Sequence, residues 1–354
     1  MKHADFVAEY TDTLLVTGAS GFIGRRVVKA LLDHGFTNLR CFVRPSSNLT
    51  PLEEIVSEYK NISIDIIKGN LQSRDDCKQI TDGVSIVYHL AAGRGEKSYP
   101  DAYMNSVVTT RNLLDAVVKS RNFSRFVNIS SFTVYSNHNI PRGGLLDESC
   151  ELESQPHLTG EAYCYAKVRQ EELVSEYGDK FGIPYVVVRP GVVYGPGNKG
   201  ITGRVGIGTF GIFLHLGGSN KIPLTYVDNC ADAIVLAGLV KGLNVGEVFN
   251  IVDDDLPESG KFLRLYKQNV GDFRSIYMPK TVSYFLCYLW EKYSEWSKGQ
   301  LPPSFNRRKW SSYWKGNRYT NDKIKKMLGW QPKIVFDEAC ERYFEYQRAV
   351  RRHQ

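Results

Sequence analysis

The sequence predicts an α/β protein: a doubly wound parallel sheet with a smaller, mostly helical C-terminal lobe. Three observations carry that expectation. The apolar run Leu14-Leu15-Val16 leads into the turn Thr17-Gly18-Ala19-Ser20-Gly21-Phe22-Ile23-Gly24, and apolar residues then recur at helical spacing to Leu32. Beyond that turn, short apolar runs alternate with longer segments of helical period, which is the signature of β-α-β units. The last part of the chain loses this alternation and becomes helical and aromatic.

The elements follow in order. Leu39 to Val43 reads as a second strand and Ile62 to Ile67 as a third, closed by Gly69-Asn70-Leu71. Val84 to Leu90 is a continuous apolar run, as expected of a strand buried on both faces. Tyr99 to Ser120 predicts one long helix carrying Asn105, and Arg125 to Ile129 a strand running into Ser130-Ser131. A second long helix is expected over Glu161 to Phe181, then a strand from Tyr185 to Arg189. After a glycine-rich stretch, Ile222 to Val227 reads as a strand, Asp228 as the acidic N-cap of a helix reaching Leu239, and Glu247 to Val252 as a last strand. This assigns residues 1–190 to a Rossmann-type dinucleotide-binding domain, with 222–252 returning to it, and 191–354 mainly to a substrate lobe.

Composition narrows the partners. The 354 residues are 42% hydrophobic, enough for one large core or for a main domain with a smaller lobe. The formal charge of +7 is spread out except in the C-terminal third, and no Lys/Arg block with interleaved aromatics suggests nucleic acid. The seven cysteines are scattered without a Cys-x-x-Cys, which favours reduced thiols in a cytoplasmic setting and argues against a metal site. The N-terminus is polar rather than signal-like, and no apolar run approaches the roughly 20 residues of a membrane span.

The glycine turn has the chemistry of a pyrophosphate site. A strand, a tight turn and a helix N-terminus present backbone N–H groups to phosphate oxygens. Gly18 permits the turn, Gly21 lets the backbone approach the phosphates and Gly24 lets helix and strand pack. Gly18, Ser20, Gly21, Phe22, Ile23 and Gly24 are therefore candidate cofactor contacts, as are Asn70 and Leu71 over the adenine. Leu90, Ala91 and Ala92 leave room at the carboxyl edge of the sheet. Arg44 stands where an acid would accept from the 2′-hydroxyl of NAD. With Ser46 and Ser47 it offers only donors, which favours NADP(H) over NAD(H). An Arg44 stacked on adenine would accept either cofactor.

Tyr163 and Lys167 lie four apart on the helix that follows the Ser130-Ser131 strand, so both side chains share one face. An ammonium beside a phenol lowers the phenol's pKa, and the phenol then exchanges a proton with a substrate oxygen. Lys167 would also hold the nicotinamide ribose, and Ser131 would fix the same substrate oxygen. Tyr288 with Lys292 and Tyr319 with Lys323 repeat the spacing without the serine strand, and read as solvated helix faces.

In this order the motifs resemble the extended short-chain dehydrogenase/reductases, which include NAD(P)-dependent epimerases, dehydratases and 3β-hydroxysteroid-type reductases. The resemblance runs from Thr17–Gly24 through His89-Leu90-Ala91-Ala92, Asn105 with Thr110 and Asn112, Ser131 to Tyr135, Tyr163 to Lys167, Arg189 to Gly197 and Tyr226 to Asn229, ending at Leu328-Gly329-Trp330-Gln331-Pro332. It implies catalytic roles for Ser131, Tyr163 and Lys167, an ordering role for Asn105, cofactor contacts at Pro190 and Val193, and a homodimer formed through the helices of Asn105 and Tyr163.

Within that superfamily, nucleotide-sugar enzymes carry an Asn after the Arg-containing strand; Arg189-Pro190-Gly191-Val192-Val193-Tyr194 has none. The branch of hydroxysteroid dehydrogenases and dihydroflavonol-type reductases is the better match. That implies exchange of a secondary alcohol and a ketone on an apolar ring substrate. A nucleotide-sugar epimerase or dehydratase with tightly bound NAD is the alternative enzyme. A non-catalytic cofactor-sensing regulator is the reading from outside enzymes, against which the intact Ser131, Tyr163 and Lys167 count. The aromatic and basic stretch from Tyr284 to Trp310 suits either peripheral membrane contact, the wall of an apolar pocket or a helix packed on the core.

Overall fold

The computed structural model describes residues 6–93, 98–120, 122–298, 300–301 and 305–352. The first half runs β1 (Thr13–Thr17), α1 (Gly24–Asp33), β2 (Asn38–Val43), α2 (Thr50–Ser57), β3 (Ser63–Lys68), α3 (Arg74–Thr81), β4 (Val84–His89), α4 (Tyr99–Tyr103), α5 (Thr109–Val117), β5 (Arg125–Ile129), β6 (Leu145–Leu146) and α6 (Ala162–Phe181). It continues with β7 (Tyr185–Pro190), β8 (Val192–Tyr194), β9 (Gly206–Thr209), β10 (Ile212–His215), β11 (Leu224–Tyr226), α7 (Val227–Leu239) and β12 (Glu247–Ile251). The remainder is α8 (Ser259–Val270), β13 (Ser275–Tyr277), α9 (Lys280–Trp296), α10 (Arg307–Trp314), β14 (Arg318–Tyr319), α11 (Asp322–Leu328) and α12 (Phe336–Arg352).

Seven strands form one sheet in the order β12-β7-β5-β4-β1-β2-β3, and every pairing in it is parallel. The order reverses at β1 and β4, where a doubly wound sheet opens a crevice at its carboxyl edge. Side chains alternate along β1. Leu14 and Val16 join Val27, Leu31 and Ile234 on the face covered by α1 and α7. Leu15 joins Leu113, Leu114, Phe126 and Leu173 on the face covered by α5 and α6. Both faces are dry, which is why the central strands read as unbroken apolar runs.

Four expectations need correction. The helix expected over Tyr99 to Ser120 is interrupted by a π-helical turn, Met104–Val108. Threonine hydroxyls take carbonyls of the widened turn: Thr109 donates to Asn105 O at 3.0 Å and Thr110 to Ser106 O at 2.6 Å. Asp228 does not cap α7. The cap position is Tyr226, whose amide donates to Asp253 at 2.7 Å, while Asp228 sits in the first turn beside Arg26 at 3.3 Å. Glu247–Ile251 is not the last strand, because β13 pairs with β10 and β14 with β6. Tyr319 and Lys323 share no helix face. Tyr319 lies on β14 with its ring stacked on Phe132 at 5.8 Å, and Lys323 lies on α11 in an ion pair with Glu247.

The C-terminal elements build cores of their own. Tyr194, Phe262, Tyr266, Tyr343 and Phe344 pack β8, α8 and α12 together. Cys287, Trp310 and Trp314 pack α9 on α10, where the Trp310 indole N–H donates to Ser283 Oγ at 2.9 Å.

Candidate active site

The glycine turn closes on itself. Gly18 adopts φ +69°, its N–H donates to Phe42 O at 3.0 Å, and its own carbonyl accepts from Gly21 N–H at 2.9 Å. A Cβ at Gly24 would lie 2.1 Å from that carbonyl, and one at Gly21 would lie 3.0 Å from it. A Cβ at Gly18 would meet Ala91 N at 3.0 Å, so the turn is seated directly against the loop after β4. Helix α1 then begins with no side-chain cap and no acid in its first turn. Gly21 is exposed in the turn, and glycine backbone leading into an uncapped helix N-terminus is a cradle that fits a pyrophosphate.

The flanking candidates are distributed around this cradle. Ser20, Phe22 and Ile23 are half-buried in the turn, and Arg44 is exposed just past β2. Asn70 is exposed, and its side-chain oxygen accepts from Gln72 N–H at 3.0 Å. Leu71 differs: its side chain is buried with Leu15, Phe42 and Cys77, and its carbonyl accepts from Asn112 at 3.0 Å. Leu90, Ala91 and Ala92 are half-buried at the carboxyl end of β4, while Pro190 is buried and Val193 half-buried beyond β7. Asn105 is exposed on the π-helical turn and accepts from Gln72 Nε2 at 3.2 Å.

Ser131 and Ser130 have opposite environments. The Ser131 side chain is half-buried and caps the turn Phe132–Val134, accepting from Thr133 N–H at 3.3 Å. Ser130 Oγ is buried with no hydrogen-bond partner among the described residues. Tyr163, half-buried, and Lys167, buried, stand one turn apart on α6.

Lys167 Nζ donates to Ile129 O at 2.6 Å and to Gln170 Oε1 at 2.9 Å. Burial pulls this ammonium down to about 8, against the opposing pull of Glu171. From Gln170 a chain of hydrogen bonds crosses to the glycine turn. Gln170 Nε2 donates to Thr110 Oγ1 at 2.7 Å, and that hydroxyl spends its one proton on Ser106 O. His89 Nε2, 2.8 Å away, must therefore be the donor to Thr110, which leaves Nδ1 to accept from Thr17 Oγ1 at 2.9 Å. Ala91 N–H in turn donates to Thr17 Oγ1 at 3.3 Å. Burial, reinforced by Lys167, pushes His89 down to about 3, so the ring is neutral as this pattern requires.

Gln170 and the roles of Thr110 and His89 were not legible as site residues, because nothing local ties them to Lys167. Glu171 carries a partial signal. It follows Lys167 by one helical turn, and Arg189 at the end of a buried strand needs an anion. The structure pairs them: Arg189 Nη2 lies 2.6 Å and Nε 3.0 Å from the Glu171 carboxylate, with the guanidinium 4.8 Å over the Tyr135 ring. Burial alone would lower the Arg189 pKa, but the Glu171 carboxylate outweighs it and raises it. Among the described residues no group of His, Cys, Asp or Glu is arranged to hold a metal.

Comparison with known proteins gives the family. The family described as "NAD dependent epimerase/dehydratase family" matches residues 14–251, from β1 to β12. A trifunctional UDP-glucose 4,6-dehydratase/UDP-4-keto-6-deoxy-D-glucose 3,5-epimerase/UDP-4-keto-L-rhamnose-reductase of Arabidopsis thaliana is 29% identical over 69% of this chain, which spans only 37% of that longer enzyme. A decarboxylating sterol-4-alpha-carboxylate 3-dehydrogenase of Saccharomyces cerevisiae is 26% identical over 94% of this chain and 96% of its own length. The UDP-glucuronic acid 4-epimerase of Bacillus cereus, solved with NAD, has the same fold, with TM-score 0.71 and 20% identity over 97% of this chain and 98% of its own. The chain belongs to the NAD-dependent epimerase/dehydratase family, within the extended short-chain dehydrogenase/reductases.

Proposed function

We propose that this enzyme interconverts a secondary alcohol and a ketone on an apolar ring compound of the steroid, isoprenoid or polyketide kind, with NADP(H) as the preferred dinucleotide. The carrying observation is the turn from β7 to β8. Pro190-Gly191-Val192-Val193 leaves the carboxyl edge of the sheet with apolar side chains only, and β8 then pairs with Leu224–Tyr226. A sugar diphosphate needs donors there; an apolar ring does not.

The bound nicotinamide supplies or accepts the hydride. The chain's own residues manage the oxygen and its proton. Tyr163 gives a proton to the ketone oxygen, or takes it from the alcohol. Lys167 favours the ionised phenol by its charge, and Ser131 Oγ donates to the same oxygen. The glycine cradle holds the pyrophosphate through backbone amides, and the chain from Thr17 to Gln170 holds Lys167 in place.

Denaturing freshly purified protein and identifying any nucleotide released tests the reading. The expected result is little bound NAD, with NADPH-dependent reduction of sterol-type ketones. UDP and UDP-sugars are expected to leave the melting temperature unchanged, since only a ligand of the folded state raises it. Stoichiometric NAD together with a UDP-dependent rise would overturn the proposal in favour of a nucleotide-sugar epimerase or dehydratase. For the cofactor, Arg44→Asp is expected to weaken NADPH about tenfold more than NADH, the equivalent of ~1.4 kcal/mol. Equal losses in titrations with both would remove Arg44 from 2′-phosphate recognition.

A further inference from the structure

Helix α9 is amphipathic with its apolar face outward. Its buried positions are Ser283, Cys287 and Ser294. At ~100° per residue, the sector beside them about 100° wide holds Val282, Phe285, Leu286, Leu289, Tyr293 and Trp296 and nothing polar. These six are 46%, 55%, 47%, 46%, 50% and 76% exposed. A surface helix of a globular protein places such a stripe against the core. The same lobe exposes Phe210 completely, at the tip of the β9–β10 hairpin in a left-handed backbone conformation of φ +47°. A bulky aromatic in water at a position suited to glycine has no use in folding.

We infer that this face seats the protein on an anionic lipid surface, with α9 lying in the plane of the headgroups. Charge selects this occupant over a second copy of the chain. Between positions 280 and 315 the sequence has seven Lys and Arg and two Glu, and with Glu153 and Glu161 paired to Arg308 and Lys309 the region keeps three net positive charges. Lys292 borders the apolar sector. Two such surfaces brought together about a twofold axis would repel, whereas anionic headgroups attract each cation. Tyr293 and Trp296, stacked at 5.7 Å, are of the type that settles at the boundary between acyl chains and headgroups. No helix among the described residues is long and apolar enough to cross a membrane, so the contact is peripheral. The inference does not depend on the substrate proposed above.

Co-sedimentation with phosphatidylcholine vesicles, with and without phosphatidylserine, tests it on the full chain. The expected result is pelleting with the phosphatidylserine vesicles, weakened by salt, with a blue shift of tryptophan emission. Leu286→Gln with Leu289→Gln removes apolar area from exposed positions and spares Trp296 as the probe. This variant is expected to keep its melting temperature and to lose vesicle partition at least about tenfold. Wild-type protein left in the supernatant of both vesicle types would overturn the inference, as would a variant that pellets like wild type. A wild-type dimer that the double substitution turns into a monomer, without vesicle binding, would instead make this face a contact between copies. None of these readouts uses turnover, so failure here and failure of the proposed reaction are separable.

Discussion

Tyr163→Phe is expected to lower kcat by about 10³-fold while leaving dinucleotide affinity nearly unchanged, because in the proposed reaction the phenol moves the proton and the cradle holds the nucleotide. Stopped-flow turnover and a fluorescence titration of NADPH separate the two effects. A near-normal rate in this variant would remove Tyr163 from proton transfer. Lys167 gives the same mechanism a pH signature. Buried with its pKa drawn down to about 8, it is an ammonium below that pH and loses its charge above it. The charge that would favour the ionised phenol in the proposed reaction is then gone. In ketone reduction kcat/KM, which reports the free enzyme, is therefore expected to fall as pH rises through about 8. A profile flat into the ordinary lysine range would deny the ammonium this role.

Arg189→Leu is expected to destabilise the fold by about 3–5 kcal/mol, since it strands the Glu171 carboxylate without its partner. Arg189 and Glu171 are each 5% exposed, so water does not take over when the guanidinium is gone. Denaturant melts of the single variants and of Arg189→Leu/Glu171→Leu close the cycle. The double variant is expected to recover most of the loss, because two apolar side chains leave no buried charge. A single variant costing less than about 1 kcal/mol would place the pair on the surface energetically, in conflict with its burial.

The sheet was legible because each strand announces itself locally. Leu14-Leu15-Val16 and Val84 to Leu90 are apolar on both faces and are stopped by glycine or small residues. The cradle was legible for the same reason: Gly24 cannot be anything larger with Gly18 O at 2.1 Å from its Cβ position. What sequence did not yield depends on distant partners. Asp228 reads as a cap by adjacency, yet Asp253, arriving from β12, takes the amide of Tyr226. Tyr319 has a lysine four residues on, yet a two-residue pairing with β6 carries it away from α11. By pattern the stretch that forms α9 suits membrane contact, a pocket wall or a core-packed helix alike. Only the elements behind it reveal that Ser283 and Cys287, not Leu286 and Leu289, face inward.

The chain from Thr17 to Lys167 makes catalytic aim a property of folding rather than of ligand arrival. Each hydroxyl in it has one proton to give, and the carbonyl of Ser106 fixes the direction of every donation back to the neutral ring of His89. Two of the three Lys167 protons are already directed, at Ile129 and Gln170, so little rotational freedom remains to be frozen when a dinucleotide enters. The strand that leads into the glycine turn is thus wired, through its last residue, to the orientation of Lys167, the lysine proposed as catalytic. In the proposed reaction the glycine turn and Lys167 therefore act as one preorganised unit, and neither can be redesigned alone.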